Sequence, residues 1–187
     1  SISIDADYGF AYPALDQGIS EGALVAKEFG TAVVSIFNSH HCGALSVQVE
    51  KIANHGLIGL MMANTPKAIA PWGGKEPFFG TNPIAFAVPR IAKDPLVIDF
   101  SLSKVARGKI MHAKKVNTKI PEGWALDSSG KPTVDPDQAL KGSMLPIGEA
   151  KGSALALIVE ILAATFSGSR PSNEASSFLN PDGDPPG

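Results

Sequence analysis

Short apolar runs and helix-periodic stretches succeed one another along most of the chain. Residues 1–5 alternate polar and apolar positions, which suits a short strand. Over 13–29, Ala14, Ile19, Ala23 and Ala26 recur at roughly helical spacing. Pro13 fits a first-turn position and Gly30 the position just past a helix end. Gly18 and Gly22 weaken that helix, or let something pack closely against it. The β-branched, apolar segment 32–37 reads as a buried strand, 38–44 as a polar loop, and 45–54 as a helix ending near His55 and Gly56. A second buried strand is expected over 57–63. Strand, loop, helix and strand in this order predict a βαβ unit over 32–63, with a right-handed crossover. The segment 65–81 is rich in proline and glycine and reads as a long loop. Strands are expected over 83–88 and 96–100, and a helix over 103–115. The segment 120–145 carries Pro121, Gly123, Gly130, Pro132 and Pro136, and reads as an excursion over the surface. The helix expected over 151–166 has no proline and no glycine after Gly152, and it is apolar nearly all round, which predicts burial. No internal repeat occurs, and the only biased segment is the Pro/Gly-rich tail.

Composition narrows the class. The length of 187 residues suits one domain, 1–187, able to bury a substantial core. The 16 basic and 18 acidic residues give a net charge of −2, without the basic excess of a nucleic-acid binder. A single cysteine, Cys42, allows no intrachain disulfide, which excludes a disulfide-built scaffold and fits a reducing, cytoplasmic setting. The longest apolar stretch, 154–166, is too short to span a bilayer and contains Glu160. No signal-peptide pattern opens the chain. Ser1 stands where an initiator Met would, and the tail from Asn180 ends in turn residues, so the chain reads as incomplete at both ends.

Four polar segments fall at element ends. The loop Asn38-Ser39-His40-His41-Cys42-Gly43-Ala44 follows a strand and opens a helix. Ligands of open α/β sheets sit at such strand ends, and a helix N-terminus offers free N–H groups to an anion. His40 or His41 could move protons near neutral pH, or simply bond to carbonyls as a loop residue. Gly43 lets a ligand approach the backbone. Phe78-Phe79-Gly80-Thr81-Asn82-Pro83 supplies a hydroxyl and an amide, or is a plain turn. In Asp99-Phe100-Ser101 the carboxylate could accept bonds from ribose hydroxyls, or the segment is a helix N-cap at Ser101 or Ser103. Lys151, in Gly148-Glu-Ala-Lys-Gly-Ser153, opposes the helix dipole unless an anion sits there. The Gly-x-Gly-x-x-Gly and P-loop fingerprints are missing, as are Cys-x-x-Cys and His-Glu-x-x-His, so no metal site is expected.

Taken in order, these pieces resemble the malate/L-lactate dehydrogenase family, which binds NAD or NADP without a Rossmann fold. The matching stretches are 38–44, Asn64-Thr-Pro66, Ala70-Pro-x-Gly-Gly74, Phe79-Gly-Thr-Asn-Pro83, Asp99-x-Ser-x-Ser103, Ala106-Arg-Gly-Lys109, Pro121-x-Gly-Trp-Ala-x-Asp127 and Lys151-Gly152. His-His-Cys-Gly-Ala-Leu45, Lys-Gly-Ser-Ala-Leu155 and Glu174-Ala-Ser-Ser-Phe178 look nearest the branch that reduces Δ1-piperideine-2-carboxylate and Δ1-pyrroline-2-carboxylate. The resemblance implies an α/β fold, a mixed sheet with covering helices in a non-Rossmann NAD(P)-binding domain. It implies a homodimeric enzyme that transfers hydride to or from C2 of a small 2-oxo or cyclic 2-imino acid. His41 matches the proposed proton acceptor or substrate contact, and Thr65 and Thr81 match positions that touch substrate. Cys42, Gly43, Ala44, Leu45 and Ser46 match cofactor contacts, as do Asp99, Phe100, Ser101, Lys151 and Gly152. Lys109 departs from the imino-acid branch, which typically has Asp there, and matches the malate/lactate branch. A 2-hydroxy-acid dehydrogenase acting on malate, lactate, ureidoglycolate or sulfolactate is therefore the alternative. A non-catalytic fragment or binding module is a further one.

Overall fold

The computed structural model describes residues 1–178; the tail from Asn180, with its turn residues, lies outside the described residues. Strand β1 (Ile2–Asp5) leads through a turn into helix α1 (Tyr12–Phe29), which carries Pro13 in its first turn and ends on left-handed Gly30. Strand β2 (Val34–Phe37) then pairs with β1 in parallel, Ile4 opposite Ile36. The crossover unit is therefore β1–α1–β2. The two glycines of α1 admit close approach: a Cβ on Gly18 would lie 2.7 Å from Val34 Cγ1, and one on Gly22 would lie 2.9 Å from Val34 Cγ2.

The βαβ unit expected over 32–63 does not form. Helix α2 (Leu45–Asn54) follows β2, but strand β3 (Gly59–Met62) joins a different sheet. There it runs antiparallel to β4 (Ile84–Arg90), which pairs antiparallel with β5 (Lys93–Phe100). Nor are the two strands buried as expected. Val34 of β2 and Leu60 of β3 are exposed. Helix α2 covers one face of the three-stranded sheet. Leu45, Val49 and Ala53 pack there on Ala85 and Ala87, with Met61 and Val97 at the margin. The register Met61–Ala85–Asp99 puts Asp99 on that covered face, while Leu60–Phe86–Ile98 points away.

The second core lies beyond that sheet. Helix α3 (Arg107–Lys115) is followed by three two-residue strands and a short helix: β6 (Ala125–Leu126), β7 (Pro132–Thr133), α4 (Pro136–Lys141) and β8 (Ser143–Met144). The strands make a sheet in the order β7–β6–β8. The turn signals over 120–145 predict a surface excursion, and the structure differs. Ile120, Ala125, Ala139 and Met144 are buried with Ile69, Phe79, Leu102, Ile110 and Val159. Two-residue strands carry too little periodicity to be seen in a sequence. Helix α5 (Ala150–Glu160) continues into a π-helical turn, Ile161–Thr165. It is not buried all round: Ala156 and Val159 are fully covered, whereas Leu157, Ile158, Ile161 and Leu162 are about half exposed.

Candidate functional site

The turn between β2 and α2 is clamped to the segment entering α1. Asn38, in the left-handed region, donates through Nδ2 to Asp5 Oδ1 at 3.0 Å. His40 N–H donates to the Gly9 carbonyl at 2.8 Å. The His40 ring lies between Phe10 and Phe178, with centroids 5.4 and 5.2 Å away. His41 is exposed and also meets Phe178, at 5.5 Å. Its Nδ1 accepts the Gly43 N–H at 2.8 Å. With Nδ1 an acceptor, the neutral ring carries its proton on Nε2 and presents a donor. Gly43 has φ of 72°, and a Cβ there would lie 2.7 Å from the Tyr12 hydroxyl oxygen. The positive φ favours glycine, and any Cβ would also have to displace the Tyr12 ring.

Helix α2 has no cap from its own N-cap residue, Ala44. Its cap comes from the sheet. Asp99 Oδ2 accepts the Ser46 N–H at 2.8 Å. One N–H at the start of α2 is thus taken by the protein's own carboxylate. Burial pushes the Cys42 thiol pKa up, a backbone hydrogen bond partly offsets that, and the nearby Asp99 charge adds a further push. Phe100 belongs to the opposite face of β5, across from Ile84 on β4, so it does not join Asp99 in this corner. Ser101 turns to Ser103, their hydroxyls 3.0 Å apart.

Thr65 and Thr81 come together. Their hydroxyl oxygens are 3.2 Å apart, and Thr81 N–H donates to Thr65 Oγ1 at 2.9 Å. Gly80 is required between them, because a Cβ would strike the Thr65 carbonyl. Lys151 and Gly152 open α5, which has no side-chain cap and follows Glu149 at φ of 57°. Ser153 Oγ accepts the Trp72 N–H at 3.0 Å, bringing the Pro71-Trp-Gly-Gly74 turn to this helix start. Leu102 ties the groups together: its N–H donates to the Thr81 carbonyl and its carbonyl accepts the Ile147 N–H, each at 2.8 Å. The tract 99–102 therefore meets the α2 start at one end, and Thr81 and the turn before α5 at the other.

The surface carries two further cavities, the second of which adjoins the 38–41 turn through Asp5, Gly9 and Phe10. One, of about 330 Å³, is lined by Lys109, His112, Lys119, Ile120, Pro121 and Trp124, so two of the motif stretches meet in it. The other, of about 420 Å³, is lined by Asp5, Asp7, Phe10 and Gln17, among others. Among the described residues no cluster of three His, Cys, Asp or Glu side chains is arranged to hold a metal ion, and no helix is long and apolar enough to cross a membrane. Sequence reasoning missed the buried network of Asn82, Glu160 and Ser172. The available signal was the lone carboxylate inside an apolar helical run.

The chain is 54% identical over 185 residues to a (2R)-3-sulfolactate dehydrogenase (NADP(+)) of Chromohalobacter salexigens, covering 99% of this chain and 56% of that protein. It is 44% identical over 178 residues to Delta(1)-pyrroline-2-carboxylate reductase 1 of Burkholderia ambifaria, covering 95% of this chain and 52% of that protein. The crystal structure of delta1-piperideine-2-carboxylate reductase from Pseudomonas syringae superposes with a TM-score of 0.91 at 40% identity, over 97% of this chain and 55% of that one. The chain thus spans about half the length of the curated relatives it matches. The family model for malate/L-lactate dehydrogenase matches residues 1–187, and the chain belongs to that family.

Proposed function

We propose that the full-length protein is an NAD(P)-dependent oxidoreductase acting at C2 of a small 2-oxo, 2-hydroxy or 2-imino carboxylic acid. The observation that carries this reading is the 99–102 tract, which hydrogen-bonds the α2 start, the Thr81 loop and the turn before α5 into one connected framework. The residues fit a dinucleotide in a definite sense. The start of α5 has no side-chain cap and carries Lys151, which suits phosphate oxygens. Asp99 spends Oδ2 on Ser46, leaving Oδ1 to accept a ribose hydroxyl. Cys42, Gly43, Ala44, Leu45, Ser46, Ser101 and Gly152 form the backbone around these two anchors; Phe100, on the other face of β5, is the weakest member of the expected set. The NADP(+)-dependent sulfolactate relative supports NADP over NAD.

When bound, the nicotinamide supplies or takes up the hydride. The chain's own residues do the rest. Thr65 and Thr81 offer hydroxyls on one side, held 3.2 Å apart. His41 offers Nε2–H as a donor to the oxygen or nitrogen at C2, or to the substrate carboxylate, while Gly43 N–H fixes the ring tautomer. Reduction also consumes a proton at the C2 oxygen or nitrogen; His41 gives it from Nε2 once the Gly43 N–H bond opens and Nδ1 takes up a proton from water, and with that bond closed His41 orients the substrate.

The substrate we favour carries a second anionic group, as 3-sulfolactate does. The sulfolactate relative supports that choice. Imine reduction is the second reading, favoured by the 38–45 loop and by the pyrroline-2-carboxylate reductase relatives. The test is a panel on the full-length protein: sulfopyruvate, oxaloacetate, pyruvate and Δ1-pyrroline-2-carboxylate, each with NADPH and NADH. His41→Ala is expected to lower kcat/KM about 10²-fold with the fold intact. Full activity in that variant, or no turnover of any panel member by the parent, overturns the reading. The exposed apolar row Leu60–Ile98 supports a homodimer, which light scattering would check.

A further inference from the structure

We infer that Glu160 is a positioning residue: through Asn82 and Ser172 it sets the Thr65–Thr81 hydroxyl pair. The inference rests on the reading above, in which those hydroxyls meet the substrate. Glu160 is the last residue of α5, where the helix changes to the π-helical turn, and its side chain is buried at 5% exposure. A carboxylate taken out of water costs free energy unless its oxygens are filled with donors. Here Oε2 accepts from Asn82 Nδ2 at 2.8 Å and from the Ser172 hydroxyl at 2.6 Å, and Oε1 accepts the Ser172 N–H at 2.5 Å.

Each donor leads to one threonine. Asn82 is fully buried at φ of 40°, a left-handed conformation in which it follows Thr81 directly. Its Nδ2 is held twice, by Glu160 and by the Ala156 carbonyl at 3.0 Å. Ser172, also fully buried, accepts the Lys67 N–H on its carbonyl at 3.0 Å, two residues beyond Thr65. The carboxylate therefore grips both threonine segments from behind. The gap between them has no slack, because a Cβ on Gly80 would lie 2.5 Å from both Asn82 Oδ1 and Thr65 Oγ1. A shift of Asn82 is transmitted to Thr81 rather than absorbed. Hydroxyl placement within about half an ångström is what substrate orientation demands.

Glu160→Gln tests this in the full-length enzyme. The amide keeps the shape but sets an NH2 group where a donor now points. Against the panel acid that the parent reduces fastest, E160Q is expected to lose about tenfold in kcat/KM. NADPH affinity, read by fluorescence titration, is expected to stay within about twofold. T81V alone is expected to lose about 10²-fold, which leaves a measurable rate. On the T65V/T81V background the E160Q loss is expected to vanish, because both hydroxyls it positions are gone. Losses that multiply, or a lowered Tm with kcat/KM unchanged, overturn the positioning role and make Glu160 a purely structural residue. Unaltered kcat/KM in T81V overturns the site reading itself. If E160Q does not fold, Ser172→Ala, which removes one donor and leaves the carboxylate, takes its place in the same cycle. A loss that vanishes on the T65V/T81V background then supports the positioning role, and losses that multiply overturn it.

Discussion

The bond from Asp99 to Ser46 makes a prediction with two independent readouts. Asp99→Ala removes the carboxylate that accepts the Ser46 N–H at 2.8 Å in the first turn of α2. Nothing on the N-cap residue replaces it. Loss of a side-chain N-cap costs typically about 1 kcal/mol. For a chain of this size that lowers Tm by about 2–4 °C, measured by calorimetry or by denaturant midpoint at constant m. Asp99→Asn keeps an acceptor oxygen and loses the charge, so it should retain part of the cap. The second readout is Cys42. The Asp99 charge is one of the influences holding its thiol pKa up, so removing the charge lowers that pKa and raises the thiolate fraction at any pH below it. Iodoacetamide modification, followed at the Cys42 peptide by mass spectrometry, should be faster in both variants. Stability and alkylation rate both unchanged in Asp99→Ala would mean that the carboxylate does not hold Ser46 in solution.

Two further expectations concern packing and pH. Gly18→Ala drives a methyl into Val34 Cγ1 at 2.7 Å and should cost about 1–3 kcal/mol in urea unfolding, part of which Val34→Ala in the same chain restores. The Asp127 pKa is held down by the Ser129 hydroxyl first, and by the Lys131 and Ser129 backbone N–H groups. Its contribution to stability is present above the ordinary aspartate pKa and is lost as pH falls through the depressed native value. Asp127→Asn should flatten that acid limb in pH-dependent Tm measurements.

What is legible in the sequence is local. Pro13 and Gly30 bracket α1 because each fixes one backbone dihedral problem without help from distant residues. Gly18 and Gly22 signal close approach, and Val34 is what approaches. The strand partner of 57–63 is not legible. Its apolar residues satisfy a parallel neighbour in one sheet or an antiparallel one in another equally well, and only the β4–β5 hairpin, far along the chain, decides. The all-round apolarity of α5 misleads in a similar way. It records that both faces are apolar, while only the Ala156–Val159 side is covered by described residues.

The site shows the same division between residue type and address. An aspartate at the end of a strand reads as a contact for ribose hydroxyls, and that it caps a helix from another part of the chain shows only once the period-2 register is known. Asp99 falls on the α2 face because Met61 and Ala85 do, and its Oδ2 reaches Ser46. That pairing has an electrostatic consequence for the whole framework. A helix end already facing a carboxylate gains little from a second anion and places it beside a like charge. The N-cap of α5 is itself a carboxylate, Glu149, which makes no side-chain hydrogen bond to the helix, and Lys151 adds an ammonium. Of the two helix starts joined by the 99–102 tract, α5 is the one with no side-chain carboxylate bonded to its first turn among the described residues, and we propose it for phosphate. A phosphate analogue should accordingly protect Lys151 from an amine-selective acylating reagent and leave Cys42 alkylation unchanged.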